Sequence, residues 1–272
     1  MVAAATIAVV ATAIALASAR RAGANHEVEV RVAAAASLRP ALDAVVRRLH
    51  ASEPDLHVVV SYGSSGTLAA QILRGAPFDV FLSADKERPD RVVANGGAAA
   101  TDRFTFASGS LVLAVRSDLG LDLGRGLDLV RHPAVRRIAI AQPQHAPYGR
   151  AALGVLQRRG LLDSVRERLI YGENVAQALA FVQSGGADAG LVAASLTTAD
   201  EVGESVQFVA IDARDNPSVD HVGVVLRGAR DRGAALQLRN FLVGPAGRAA
   251  LSGAGLRVLA DPITAPTTIE GD

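Results

Sequence analysis

The chain has 272 residues, half of them hydrophobic, which suffices for one large domain or two of ordinary size and excludes a mainly disordered protein. Its 28 basic residues nearly cancel its 27 acidic ones, and a formal charge of +1 supplies no global field for nucleic acid or an anionic membrane. With no cysteine there is no disulfide framework, no thiolate metal site and no cysteine nucleophile.

Val2 to Ala19 carry no charged side chain and end in Ala17-Ser18-Ala19, an A-x-A pattern suited to signal peptidase. Residues 1–26 are therefore expected to be an export signal and linker. No basic residue precedes the apolar run, Arg20-Arg21 follow it, and its length of about 18 residues approaches a membrane span, so an uncleaved anchor is the alternative. Either way the remainder lies outside the cytoplasm, in a periplasmic or other extracytoplasmic space.

From Glu27 onward short apolar runs alternate with longer amphipathic ones, the pattern of an α/β protein built on mostly parallel sheets. Val28 to Ala35 reads as a strand. Leu38 to Leu49 reads as a helix, with Leu38, Leu42, Val45, Val46 and Leu49 on one face and Pro40 tolerated in the first turn. His57 to Tyr62 is a second strand, Thr67 to Arg74 a second helix, and Phe78 to Leu82 a third strand. Asp85 is placed to cap a helix that stops at Asn95-Gly96-Gly97.

Leu111 to Arg116 is a further strand, and the unit then repeats in kind: Arg137 to Ala141 as strand, a loop to Pro147, and Tyr148 to Arg159 as helix. Next come a strand at Arg168 to Tyr171, a helix at Val175 to Ser184, and strands at Ala189 to Val192, Val206 to Ile211 and His221 to Leu226. Helices at Ala229 to Leu242 and Pro245 to Leu251 close the series. Two βα blocks with a strand and helices left over predict two lobes: a discontinuous first lobe at 27–110 plus 223–262, a second at 111–222, and a tail at 263–272. A ligand is expected between them, at the carboxyl ends of the strands.

Enzymatic signatures are absent. The only lysine, Lys86, follows no glycine-rich loop, which excludes a phosphate-binding loop of the nucleotide-hydrolase kind. Histidines at 26, 50, 57, 132, 145 and 221 show no zinc spacing, and scattered surface positions account for most of them. Gly63-Ser64-Ser65-Gly66 falls one residue short of a nucleophile elbow. Asp79 and Asp85 read more simply as a strand-end residue and a helix cap than as paired catalytic carboxylates.

What accumulates instead is helix starts. Ser37 and Ser65 stand where strands give way to helices, and such starts combine unpaired N–H groups with the positive end of the helix dipole. The same residues are also ordinary caps when taken singly. Pro143-Gln144-His145-Ala146-Pro147-Tyr148-Gly149 presents the Tyr148 N–H at a third start, and Gly172-Glu173-Asn174-Val175 presents the Val175 N–H at a fourth, with Asn174 as cap.

The runs Ala35-Ala36-Ser37-Leu38, Ser64-Ser65-Gly66-Thr67-Leu68-Ala69, Gly75-Ala76-Pro77-Phe78-Asp79-Val80-Phe81-Leu82-Ser83-Ala84-Asp85 and Pro143 to Gly149 together resemble the periplasmic molybdate-binding proteins of ABC transporters. The similarity runs in order from about Val28 to about Leu259. It implies a two-lobed type II periplasmic binding protein fold that captures molybdate or tungstate and delivers it to the membrane permease, without catalysis and without a resident cofactor. It also implies an anion cradle made by Ser37 and Ser65 in one lobe and by the main-chain N–H groups of Tyr148 and Val175 in the other; metal enters only inside the oxyanion. Many such proteins carry a tyrosine where this chain has Ala193, and the phenol of Tyr148 is a candidate replacement. The alternatives are another small oxyanion such as sulfate or phosphate on the same fold, an enzyme on the same scaffold, or a membrane-anchored oxyanion sensor. A monomer is expected.

Overall fold

The computed structural model describes residues 28–198 and 203–259; the expected export segment and the tail lie outside the described residues. Strand β1 (Val28–Ala35) is flanked by parallel β2 (Leu56–Gly63) and parallel β3 (Val80–Ser83). Its second half is buried on both faces, which is why it reads as a continuous run of small apolar residues rather than an alternating one. A single 3-10 turn, Ala36–Leu38, leads into helix α1 (Arg39–Ser52). Its Leu42, Val45 and Leu49 recur on one buried face, each contributing roughly 1.5–3 kcal/mol of hydrophobic stabilisation. Helix α2 (Ser65–Leu73) follows β2, and α3 (Glu87–Ala94) follows β3.

Strand β4 (Ala98–Gly109) has no counterpart among the expected elements. It begins Ala-Ala-Ala-Thr-Asp, a low-propensity stretch for a strand, and is held by its neighbour β10 (Val219–Leu226) rather than by local preference. The first sheet runs β11-β4-β10-β3-β1-β2, with β11 reduced to Arg257–Val258. Strand β10 is antiparallel to both β3 and β4 and belongs to this sheet along its whole length. The chain therefore returns to the first lobe within 211–218, ahead of the boundary expected at 223. Helices α6 (Arg232–Val243) and α7 (Pro245–Gly253) finish this lobe, α7 lying against α1.

The second sheet contains β5 (Leu111–Arg116), β6 (Ile138–Ala141), β7 (Leu169–Gly172), β8 (Ala189–Ala193) and β9 (Val206–Ala210), in the order β7-β6-β8-β5-β9. Strand β6 is parallel to β7 and β8, while β5 is antiparallel to β8 and β9. Helix α4 (Pro147–Arg158) follows β6, and α5 (Val175–Gln183) follows β7. One residue, Ser110, separates β4 in the first sheet from β5 in the second. The result is the expected α/β architecture of two sheets flanked by helices, but the sheets are mixed rather than mostly parallel, because β10 and β4 in one and β5 and β9 in the other join antiparallel to their neighbours. Among the described residues no helix is long and apolar enough to cross a membrane.

Candidate functional site

Because β1, β2 and β3 are parallel, their carboxyl ends share one edge of the first sheet, and β6 and β7 do the same in the second. Ser37, Ser65, Tyr148 and Val175 stand just past four of these ends. All four line one small cavity between the sheets, and the structure thus brings together the four residues expected to form the cradle; Ala193 is not in its lining. Ala84, Ala146 and Asn174 are also in its wall, and no charged side chain is.

The donors at the cavity are the ones that helix geometry leaves over. At the start of α2 the Ser64 Oγ accepts from the Thr67 N–H at 3.3 Å, the Ser64 carbonyl accepts from Leu68, and the Gly66 N–H donates to the His145 carbonyl. The Ser65 N–H, at the first helical position, has no acceptor within the helix. In α4, Pro147 has no N–H, and Gly149 and Arg150 donate to the Ala146 carbonyl, which leaves the N–H of Tyr148. In α5 the Asn174 Oδ1 accepts from Ala176 at 3.0 Å and Gln177 at 3.1 Å, which leaves the N–H of Val175. In α2 and α5 a side-chain cap, and in α4 the Ala146 carbonyl alone, take up the donors next to the one that lines the cavity.

The hydroxyls are oriented from behind. Ser65 Oγ accepts a hydrogen bond from the Ala84 N–H at 3.0 Å, so its own proton is available to an occupant. Ser37 Oγ lies 3.2 Å from Nε2 of His221, and the Ser37 carbonyl accepts from Ser195 Oγ at 2.7 Å. His221 was not distinguished from the other histidines by sequence. It is fully buried on β10, with its ring 6.0 Å from that of Phe106 and 6.2 Å from that of Tyr148. Burial pushes its imidazole down to about 4, against the opposing pull of Asp220, and the ring is neutral at physiological pH.

The Tyr148 hydroxyl is buried beside Gly109, so close that a Cβ at that glycine would lie on top of it. Among the described residues it has no hydrogen-bond partner, and the nearby Ser37 hydroxyl does not reach bonding geometry. Burial raises the phenol well above its usual value, with the Ser37 hydroxyl acting in the opposite direction, and it stays protonated.

The two lobes meet around the cavity. Gly66 N–H reaches the His145 carbonyl at 2.8 Å, and a Cβ at Gly66 would stand only 2.8 Å from that oxygen. Asp85 accepts from Arg150 of the other lobe at 2.6 Å and from Arg88 of its own at 2.9 Å. Arg88 also donates to the Gln144 carbonyl at 3.3 Å. Asp85 caps its helix through the Arg88 N–H, and Asp79 is taken up by the backbone N–H groups of Arg31 and Arg230. Both carboxylates are accounted for structurally. Among the described residues no cluster of acidic or histidine side chains could hold a metal ion.

Two lobes built on separate sheets, with a small donor-lined cavity where their helix starts converge, define a two-lobed solute-binding protein. Residues 30–257 match the family described as bacterial extracellular solute-binding protein, and the chain belongs to that family. It is 34% identical over 235 residues to the molybdate-binding protein ModA of Azotobacter vinelandii, covering 85% of this chain and 91% of that one. The Escherichia coli protein of the same name is 31% identical over 224 residues, 80% of this chain and 85% of its own. The solved structure of the Azotobacter vinelandii periplasmic molybdate-binding protein superposes with a TM-score of 0.77 at 32% identity, over 85% of this chain and all of that chain. The sulfate-binding protein SubI of Mycobacterium tuberculosis shares the fold, with a TM-score of 0.72 at 19% identity, over 85% of this chain and 87% of that chain.

Proposed function

We propose that this protein is the extracytoplasmic binding component of an ABC transporter, capturing molybdate or tungstate and handing it to the membrane permease. The observation that carries the reading is the cavity itself: neutral donors from both lobes, Ser37 and Ser65 from one and the Tyr148 and Val175 N–H groups from the other, converge with no charged side chain in the wall. A tetrahedral dianion suits such a wall. Each charge-assisted hydrogen bond contributes about 1.5–3 kcal/mol, and fixed dipoles stabilise the ion without a counter-charge that would retard its release.

The same inventory ranks the competitors. Hydrogen phosphate carries a proton that a ring of donors leaves without an acceptor, so phosphate is disfavoured. Sulfate has the right charge and is told apart only by size. The reading also takes residues 1–26 as the export signal and the protein as a monomer that binds its ion without catalysis; the closed pair of lobes is the surface the permease meets. Calorimetric titration of the purified protein with molybdate, tungstate, sulfate and phosphate tests it. Molybdate and tungstate should bind with similar, tight affinity; preference for sulfate or phosphate would overturn the assignment of the ion.

A further inference from the structure

The two serines of the cavity face the same problem. A serine hydroxyl has one proton, and it serves an anion only if that proton points to the cavity while something behind the oxygen occupies a lone pair. For Ser65 the backbone N–H of Ala84 does this at 3.0 Å. Behind Ser37 the only group in hydrogen-bond contact with the oxygen, among the described residues, is Nε2 of His221 at 3.2 Å, contributed by a strand 184 positions later.

Resting on the oxyanion reading above, we infer that His221 is a positioning residue for Ser37: held as the neutral Nε2–H tautomer, it donates to Ser37 Oγ and so directs the serine proton at the bound ion. The opposite tautomer fails on two counts. Nε2 would then take the serine proton and turn an oxygen lone pair toward the anion. Nδ1 would carry a buried N–H with no partner in bonding geometry among the described residues, the Val219 backbone that pulls on the ring falling short of it. An orphaned buried donor is the costlier and rarer fault.

The other unpartnered buried side-chain atom lies close by. The Tyr148 hydroxyl lies 2.2 Å, and His221 Cε1 3.2 Å, from the place a Cβ would take on Gly109. Thus the unpartnered hydroxyl of the second lobe and the Cε1 edge of the His221 ring border one glycine. Neutrality of the ring is consistent with its burial.

Nitrogen-15 NMR of histidine-labelled protein reads the tautomer directly, and calorimetry with molybdate reads its effect. His221 should show a protonated Nε2 and a bare Nδ1 in the bound protein. His221→Phe should weaken molybdate about 10- to 100-fold, and His221→Gln, which restores an N–H near the Nε2 position, should recover most of it. Adding Ser37→Ala to His221→Phe should cost little more, because both changes remove one interaction. A protonated Nδ1, undiminished binding by His221→Phe, or fully additive losses would each overturn the inference. If His221→Phe does not fold, the tautomer decides alone. Wild-type protein that binds no oxyanion would instead overturn the proposed function.

Discussion

The carboxylate of Asp85 and the guanidinium of Arg150 stand 2.6 Å apart across the cleft, joining the end of the first-lobe β3 turn to the second-lobe helix α4. Asp85 keeps Arg88 as a partner within its own lobe, so losing Arg150 does not strand a buried charge. Arg150→Ala should therefore leave the thermal stability of the ligand-free protein nearly unchanged while speeding release of the ion about 2- to 5-fold, the scale of a partly exposed ion pair. Stopped-flow release at low and high salt checks this; a wild-type release rate that ignores salt would remove the latch.

Gly66 separates folding from closure more sharply. It lies in the first turn of α2, where alanine favours the helix, yet its missing Cβ is what lets the His145 carbonyl approach to within hydrogen-bond distance. Gly66→Ala should preserve or slightly raise ligand-free stability and weaken molybdate at least 10-fold. Thermal melts paired with calorimetry on the same sample distinguish this from general damage. Unaltered affinity would mean that the closed contact does not govern binding.

Both serines accept a buried N–H from behind, so each substitution should carry a stability cost beside its loss of affinity. Ser65→Ala removes the acceptor of the buried Ala84 N–H and should cost about 1–3 kcal/mol of stability in addition to affinity. Ser37→Ala leaves the Ser37 carbonyl and its Ser195 partner in place but strands the buried His221 Nε2–H, and should cost a similar amount of stability together with an about 10- to 100-fold loss of affinity. Denaturant titrations with and without molybdate separate the two effects. A Ser65→Ala variant as stable as the parent would contradict the orientation assigned to Ser65.

His221 makes folding depend on pH in a defined sense. In the unfolded chain it takes up a proton near its ordinary value of 6.5, but in the folded protein burial holds it down to about 4. Between these values the unfolded state binds more protons, so stability rises with pH across the window, is fully present above it, and is lost as pH falls toward 4. The charges of Asp220 and Asp85 oppose the effect without cancelling it. The contribution is on the order of 3 kcal/mol. Denaturant midpoints of wild type and His221→Phe, compared at neutral pH and near pH 4, should converge on acidification; parallel curves would show that the histidine is not held neutral.

Two of the strands that carry the site, β1 and β6, were legible because they are central and parallel to a neighbour. Residues 32–35 and 138–141 are uninterrupted apolar runs, and the serines and caps that open the helices are local signals. What was not legible was set by partners far away. Ala98 to Asp102 carries little strand propensity and is drawn into β4 by pairing with β10. His221 looked like one more scattered histidine because β10 is buried on both faces along most of its length, which erases the alternation that would have marked it as inward-facing. Gly109 and Gly66 matter through what approaches them, and sequence alone does not name the visitor.

The position of β10 bears on how the molecule is made. It lies between β3 and β4, in the middle of the first sheet, yet it is synthesised after the entire second lobe. A nascent chain that has reached residue 218 holds β3 and β4 with no strand between them, each exposing a row of unpaired backbone groups. The amino-terminal lobe is thus the first to emerge and the last to be completed. Its assembly waits on long-range pairing, which is intrinsically slow and open to aggregation. A polypeptide bound for export profits from that delay, since a chain that cannot close its first lobe early remains unfolded for longer.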